Sequence, residues 1–168
     1  MKCDECGGTM KAEPRAVRRY DMGGLPHVEL HGLEVSRCAS CGIEDVTIPR
    51  IEQLHRVLAS SFISQTRALI PAEIRFLRKH IGLSTIAFAK CMGKARETVS
   101  RWETGKAAMG PSADRLLRLL VATSSPVKSY AAVQVLTDIT EPAPKRPHPF
   151  GLRVSRDGWR PDRKLASV

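Results

Sequence analysis

The chain has 168 residues, the length of one ordinary domain or two small ones. It carries 27 Lys and Arg against 17 Asp and Glu, a formal net charge of +10, which favours a polyanionic partner through phosphate neutralisation and counterion release. No run of about 18 apolar residues occurs, so no membrane-spanning helix is expected, and the polar, Cys-bearing start carries no apolar stretch that would mark a secretory signal.

The expected compartment is therefore the cytoplasm, where thiols stay reduced and close Cys pairs read as metal ligands before disulfides. Two such pairs open the chain's story. Cys3-Asp-Glu-Cys6-Gly and Cys38-Ala-Ser-Cys41-Gly are both C-x-x-C-G. Two intervening residues let both sulfurs of a pair reach one metal from a tight turn, and the glycine that follows permits the backbone such turns need. Four thiolates, Cys3, Cys6, Cys38 and Cys41, satisfy tetrahedral Zn²⁺ and leave no open position, which makes the zinc structural. The segment between the pairs exceeds the ~15–20 residues of common four-Cys sites. It reads as short strands turning at Gly23-Gly24 and again near Gly32. Residues 1–48 are thus expected to form a zinc-binding module whose exposed strands, around Val17 to Val35, offer edges to a partner strand.

A catalytic reading competes for the same residues. His27-Val28-Glu29 ahead of Cys38 and Cys41 follows the H-x-E…C-x-x-C order of zinc deaminases. Arg37 stands where that pattern has proline, only eight residues separate Glu29 from Cys38, and Cys3 and Cys6 would have no task. His27 and His31 are read instead as exposed strand or turn residues, and no catalytic residue is assigned.

From Pro49 the apolar positions Ile51, Leu54, Leu58 and Phe62 recur at helical spacing, predicting a linking helix over residues 49–66. Residues 67–123 hold the most informative stretch, "LSTIAFAKCMGKARETVSRWETGK" from Leu83. Ser84 suits an N-cap for a short helix ending at Gly93, with Phe88 and Met92 inward and Ala89 small at a crossing. A second helix follows from about Ala95 to Thr104, with Val99 and Trp102 inward, and Gly105 stops it. Two short helices, a glycine turn and a small residue at the crossing describe a helix-turn-helix. The second helix would enter the major groove. Arg96, Glu97, Thr98 and Arg101 are its candidate readers: Arg101 for guanine O6 and N7, Thr98 for a thymine methyl, and Glu97 for cytosine N4 or the rejection of wrong bases. Lys94 and Lys106 flank it at phosphate positions, and Ser84 and Thr85 add contacts from a helix start.

Residues Leu83, Ser84, Phe88, Ala89, Gly93, Thr98, Val99, Ser100, Arg101, Trp102, Glu103 and Gly105 match the pattern of the Cro/C1-type repressors, which this stretch resembles. The resemblance implies an ion pair between Arg78 and Glu103 with no reading role. It leaves Arg75 and Lys79 as phosphate contacts or solvated face, and Cys91 beside Ile86 as a small apolar patch. Farther on, "PSADRLLRLLVA" from Pro111 predicts a helix whose surplus leucines suit a two-fold contact. Residues 124–140 predict a C-terminal helix, and dimerisation is expected through residues 112 to 139. Residues 141–168, rich in Pro and Arg with few apolar residues, are expected to be disordered, to clamp DNA as a basic arm, or to dock a partner through Phe150 and Trp159.

The fold class that follows is mainly α, with a small zinc-bound β-containing N-terminal module. Motif order over residues 1 to 122 resembles the MqsA-like (YgiT-type zinc finger) antitoxins of bacterial type II toxin–antitoxin systems. That resemblance implies a non-enzymatic homodimer of the bacterial cytoplasm, associated with the nucleoid, whose zinc module binds a toxin and whose helix-turn-helix represses the operon. The alternative is a free-standing zinc-containing transcription regulator without a toxin. Glu97 stands where family members tend to carry Asn, which implies a different operator, and the chain continues past the family's usual end.

Overall fold

The structure is a computed structural model and describes residues 2–21, 24–124 and 150–162. Its elements run β1 (Met10–Tyr20), β2 (Leu25–Cys38), β3 (Glu44–Thr47), α1 (Ile51–Ile63), α2 (Pro71–His80), α3 (Thr85–Cys91), α4 (Arg96–Thr104), α5 (Pro111–Ser124), β4 (Phe150–Ser155) and β5 (Gly158–Pro161). They group into two compact units. One draws on residues 2–21, 26–54 and 150–162, the other chiefly on 55–124.

The first unit is a five-stranded sheet in the order β1-β2-β4-β5, with β3 paired to the far part of β2. β2 pairs in parallel with β4 from Val28↔Phe150 to His31↔Arg153, then antiparallel with β3 from Glu34↔Thr47 to Arg37↔Glu44. The change of neighbour falls at Gly32, and so does a change of parity. Val28 and Leu30 are buried before it, Leu33 and Val35 after it. One extra residue in a strand produces such a shift, and Gly32 takes it up at φ 81°. The strand expected to turn near Gly32 therefore runs straight through it.

A mainly α chain is not what the structure shows. The fold is mixed α/β, for two physical reasons. β2 extends over 14 residues instead of breaking into short pieces, and the Pro- and Arg-rich end contributes two further strands. The disorder expected over 141–168 is corrected for residues 150–161, which form the β4–β5 hairpin. Too few apolar residues occur there to build a core, but they join one already present: Leu152 is 0% exposed and Trp159 3%. The helix expected over 124–140 lies outside the described residues beyond its first position.

The second unit is helical. Leu58 and Phe62 of α1 are fully buried, as their spacing requires, while Ile51 at the helix start stays exposed. Phe62 meets Phe76 of α2 edge-on, ring centroids 5.7 Å apart. Ile74, Leu77, Phe88, Val99, Leu117 and Val121 complete the core. Three ion pairs are sunk in this unit: Arg67–Glu73, Arg78–Glu103 and Arg118–Asp114. Arg118 reaches furthest. Besides Asp114 it donates to the carbonyls of Phe62, Ile63, Gln65 and Arg67, satisfying acceptors that the end of α1 leaves without helical partners. Asp114 in turn accepts from the Leu69 N–H at 2.8 Å.

Candidate metal centre and nucleic-acid interface

The two C-x-x-C-G stretches fold alike. The Gly7 N–H donates to the Cys3 carbonyl and the Cys3 N–H to Gly8; the Gly42 N–H donates to Cys38 and the Cys38 N–H to Ile43. Each turn closes through a glycine of positive φ, 69° at Gly7 and 76° at Gly42, where a side chain would be strained. A bridge between Lys2 and Thr9, and a bond from the Ala39 N–H to the Thr9 carbonyl, bring the turns together.

Four sulfurs converge as a result, all within 4.8 Å of one another. Cys3 Sγ lies 3.6 Å from Cys41 Sγ, and Cys6 Sγ 3.4 Å from Cys38 Sγ. A tetrahedral ion with metal–sulfur bonds of ~2.3 Å holds its sulfurs ~3.8 Å apart, so the group fits a metal. The backbone prepares it. The amides of Cys41 and Ser40 hold the Cys38 thiol down to about 6. The Ile43 amide also favours the Cys41 thiolate, but the crowding sulfurs of Cys6, Cys38 and Cys3 push that thiol up to about 12. One thiol ionises readily and its neighbour resists, until a cation draws all four together.

His27, Glu29 and His31 stand on β2 and take no part in that group. The two histidines are not exposed as the sequence suggested. His27 is buried, and His31 Nε2 lies 3.5 Å from a Glu29 carboxylate oxygen. Among the described residues no second set of three or more His, Cys, Asp or Glu gathers in this way.

In the helical unit the Ser84 hydroxyl accepts from the Ala87 N–H at 3.1 Å and caps α3. Lys94 is exposed in the turn to α4. Arg96, Glu97, Arg101 and Lys106 line one shallow depression along α4. Thr98 is half-buried beside Val99 and lies off it, as do Ser84 and Thr85. Ser100 and Thr104 join the depression and were missed; the signal was their spacing of four and eight from Arg96. Arg78 and Glu103 pair as the resemblance implied, Nε to Oε1 at 2.5 Å and Nη2 to Oε2 at 3.2 Å, both residues buried. Arg75 is committed to the Glu103 carbonyl at 2.8 Å. Cys91 and Ile86 are both exposed.

Charge is segregated. Residues 55–124 carry twelve Lys and Arg but four Asp and Glu, and three of those acids are the buried partners named above. Nine exposed cations then face solvent with one exposed acid, Glu97. No helix among the described residues is long and apolar enough to cross a membrane. Fold and site define a four-cysteine metal module continuous in sequence with a cationic helical unit. Comparison with protein-family models, curated proteins and solved structures returned no match.

Proposed function

We propose that the chain is a zinc-stabilised, sequence-specific DNA-binding repressor. The observation that carries the reading is the charge segregation, nine exposed cations to one acid, with five of the nine between Lys90 and Lys106, on α4 and the segments flanking it. An all-sulfur, four-coordinate set suits Zn²⁺ and leaves no position for substrate, so the zinc is structural and the protein non-enzymatic. Arg96, Arg101, Ser100 and Thr104 face base edges, while Lys94, Lys106 and the α3 start at Ser84 and Thr85 meet phosphates. Leu116 and Leu119, 37% and 45% exposed on one face of α5, supply the contact of a homodimer on half-sites about 34–36 Å apart.

Its resemblance to the MqsA-like antitoxins extends the proposal: the metal module docks a small toxin, and the DNA-binding unit represses the shared operon. One observation favours the alternative, a regulator without a toxin. β4 and β5 already cover part of an edge of β2 that a partner strand would otherwise use.

The test is binding to duplex from the chain's own upstream region across a salt series. Lys94→Ala and Lys106→Ala each lower the salt slope by about one and weaken all sequences alike, whereas Arg101→Ala relaxes sequence preference. Absence of binding at 50 mM salt ends the DNA reading. Co-purification from the native host separates antitoxin from free-standing regulator.

A further inference from the structure

One cleft of the sheet unit takes no part in the metal centre or the α4 depression. It measures about 540 Å³, a volume usual for small-molecule sites, and opens on the sheet face opposite Leu30 and Leu152. Half-buried His31 and Gly32 of β2 form its floor, and exposed Arg153, Ser155 and Arg156 of the β4–β5 hairpin form its rim. Gly32 contributes no side chain to fill it, and a Cβ there would press on Val154 at 3.3 Å. Arg153 is fixed in place: Nη2 donates to Asp162 Oδ2 at 2.9 Å, and the Asp162 N–H donates to the Gly151 carbonyl at 2.8 Å. That leaves further guanidinium N–H groups available. Arg156 is held by its backbone, whose carbonyl accepts from Arg50. The decisive residue is His31. Its ring lies 3.5 Å from a Glu29 oxygen and 3.9 Å from Asp162, yet its shielded Nε2 makes no hydrogen bond among the described residues. A polar atom sunk in a sheet ordinarily finds a partner; this one lies in the floor of a cleft instead.

We propose that this cleft binds a phosphate monoester of a small molecule. Arg153 and Arg156 hold the phosphate oxygens from the rim, where planar guanidinium forks match oxyanion geometry, and His31 supplies a ring N–H from the floor. The volume exceeds what phosphate alone fills, so an organic group accompanies it, and Glu29 and Asp162 are acceptors for its hydroxyls. The same two carboxylates disfavour duplex DNA, whose charge continues on every side of a single phosphate. The assignment is independent of the DNA-binding reading of the helical unit. Because the cleft is walled by β2 on one side and the hairpin on the other, its ligand fastens the hairpin to the sheet and stabilises that unit by mass action.

The test is a titration of the full-length, metal-loaded protein with inorganic phosphate and with ribose 5-phosphate, at constant ionic strength, with chloride as control. The Gly32, Val154 and Ser155 amide resonances should shift and saturate with both phosphates, at lower concentration for ribose 5-phosphate, and not with chloride. Arg156→Ala removes no side-chain bond of the fold. It should weaken saturation roughly tenfold while the Trp159 indole resonance stays in place, which shows the hairpin still docked. Arg156→Lys should recover part of the loss. Shifts that grow linearly and equal those from chloride would overturn the proposal, as would saturation unchanged in Arg156→Ala. Saturating shifts confined to α4 would place phosphate on the helical unit and overturn it too. A duplex that displaces ribose 5-phosphate from these three amides would assign the cleft to a DNA surface and end the small-molecule reading.

Discussion

The indole N–H of Trp159 donates to the carbonyl of Pro49 over 2.6 Å, joining residues 110 apart in sequence. Around that bond the β4–β5 turn holds the point where the chain leaves β3 for α1. Arg50 Nη2 donates to the Arg156 carbonyl at 3.3 Å, and Gly158 lies so close to the Gln53 amide that a Cβ would collide with it. Among the described residues Arg50 is also the one non-glycine residue of positive φ, at 50°. A conformation of that kind costs of order 1–3 kcal/mol and persists where its surroundings enforce it. Trp159→Ala should destabilise the sheet unit by about 3–5 kcal/mol. Trp159→Phe keeps most of the burial but leaves the Pro49 carbonyl unbonded, at a cost of about 1–3 kcal/mol. Denaturant titration followed by sheet-unit amide resonances checks both. Unchanged midpoints would mean that the hairpin is an ornament on the sheet.

How much of this could be read from the sequence depends on the range of the interaction. The metal centre was legible because each C-x-x-C-G turn is closed by its own backbone and needs only its own glycine. Ser84, Gly93 and Gly105 bounded α3 and α4 for the same local reason. The hairpin was not legible: a Pro- and Arg-rich stretch has no core of its own, and nothing in its composition says that β2 has a free edge for Leu152 and Trp159 to join. The burial of Arg118 was illegible for another reason. Asp114 and Arg118 at i, i+4 resemble an exposed helix pair, and only the end of α1 landing there buries them. The parity shift at Gly32 is invisible without knowing which neighbour each half of β2 takes.

That split origin changes what metal removal should do. The four-cysteine metal site ties β2 to the N-terminal turns, and β2 also carries β4. Chelation should therefore unfold residues 150–162 together with residues 2–21 and 26–54 and spare 55–124. The chain has two tryptophans, and they fall one to each unit: Trp159 in the sheet unit, Trp102 in the helical one. After chelator is added under reducing conditions, the Trp159 indole resonance should collapse to a random-coil position while that of Trp102 stays dispersed. Cys3→Ser should do the same without chelator. A Trp159 resonance that stays dispersed in metal-free protein would contradict both the metal's structural role and the hairpin's dependence on it.

Arg118 offers a sharper test of the helical unit. Arg118→Met removes the guanidinium but leaves the Asp114 carboxylate buried, together with the carbonyls at the end of α1. Breaking a buried pair from one side costs about 3–5 kcal/mol, and that loss is expected here. Arg118→Lys keeps the charge but not the planar fork that serves Asp114 and several carbonyls at once. It should recover only part of the loss. Full stability in Arg118→Lys would show that charge alone is enough. Thermal melting monitored by helical signal distinguishes these outcomes.

The helical unit should also lose stability in mild acid, through two histidines flanking one ring. Phe76 meets His55 edge-on with centroids 5.6 Å apart and stacks on His80 at 6.0 Å. Burial holds the His55 imidazole below its ordinary value. His80 is lowered by burial first, then by the positive charge of His55 and Arg56. A histidine with a lowered folded-state pKa binds its proton more readily in the unfolded chain. Stability from both groups is therefore complete above the unfolded value of about 6.5 and declines as pH falls below it. The decline levels off once pH has passed the lower, folded-state values. Metal loss at low pH would act on the other unit, so the measurement must follow Trp102 and the α2–α5 amides alone. Denaturation midpoints read that way should hold steady from pH 8 to 7 and fall between pH 6.5 and 5. The double variant His55→Gln/His80→Gln should flatten that slope. If the slope survives in the double variant, the acid sensitivity of this unit arises elsewhere, and the histidines about Phe76 serve packing only.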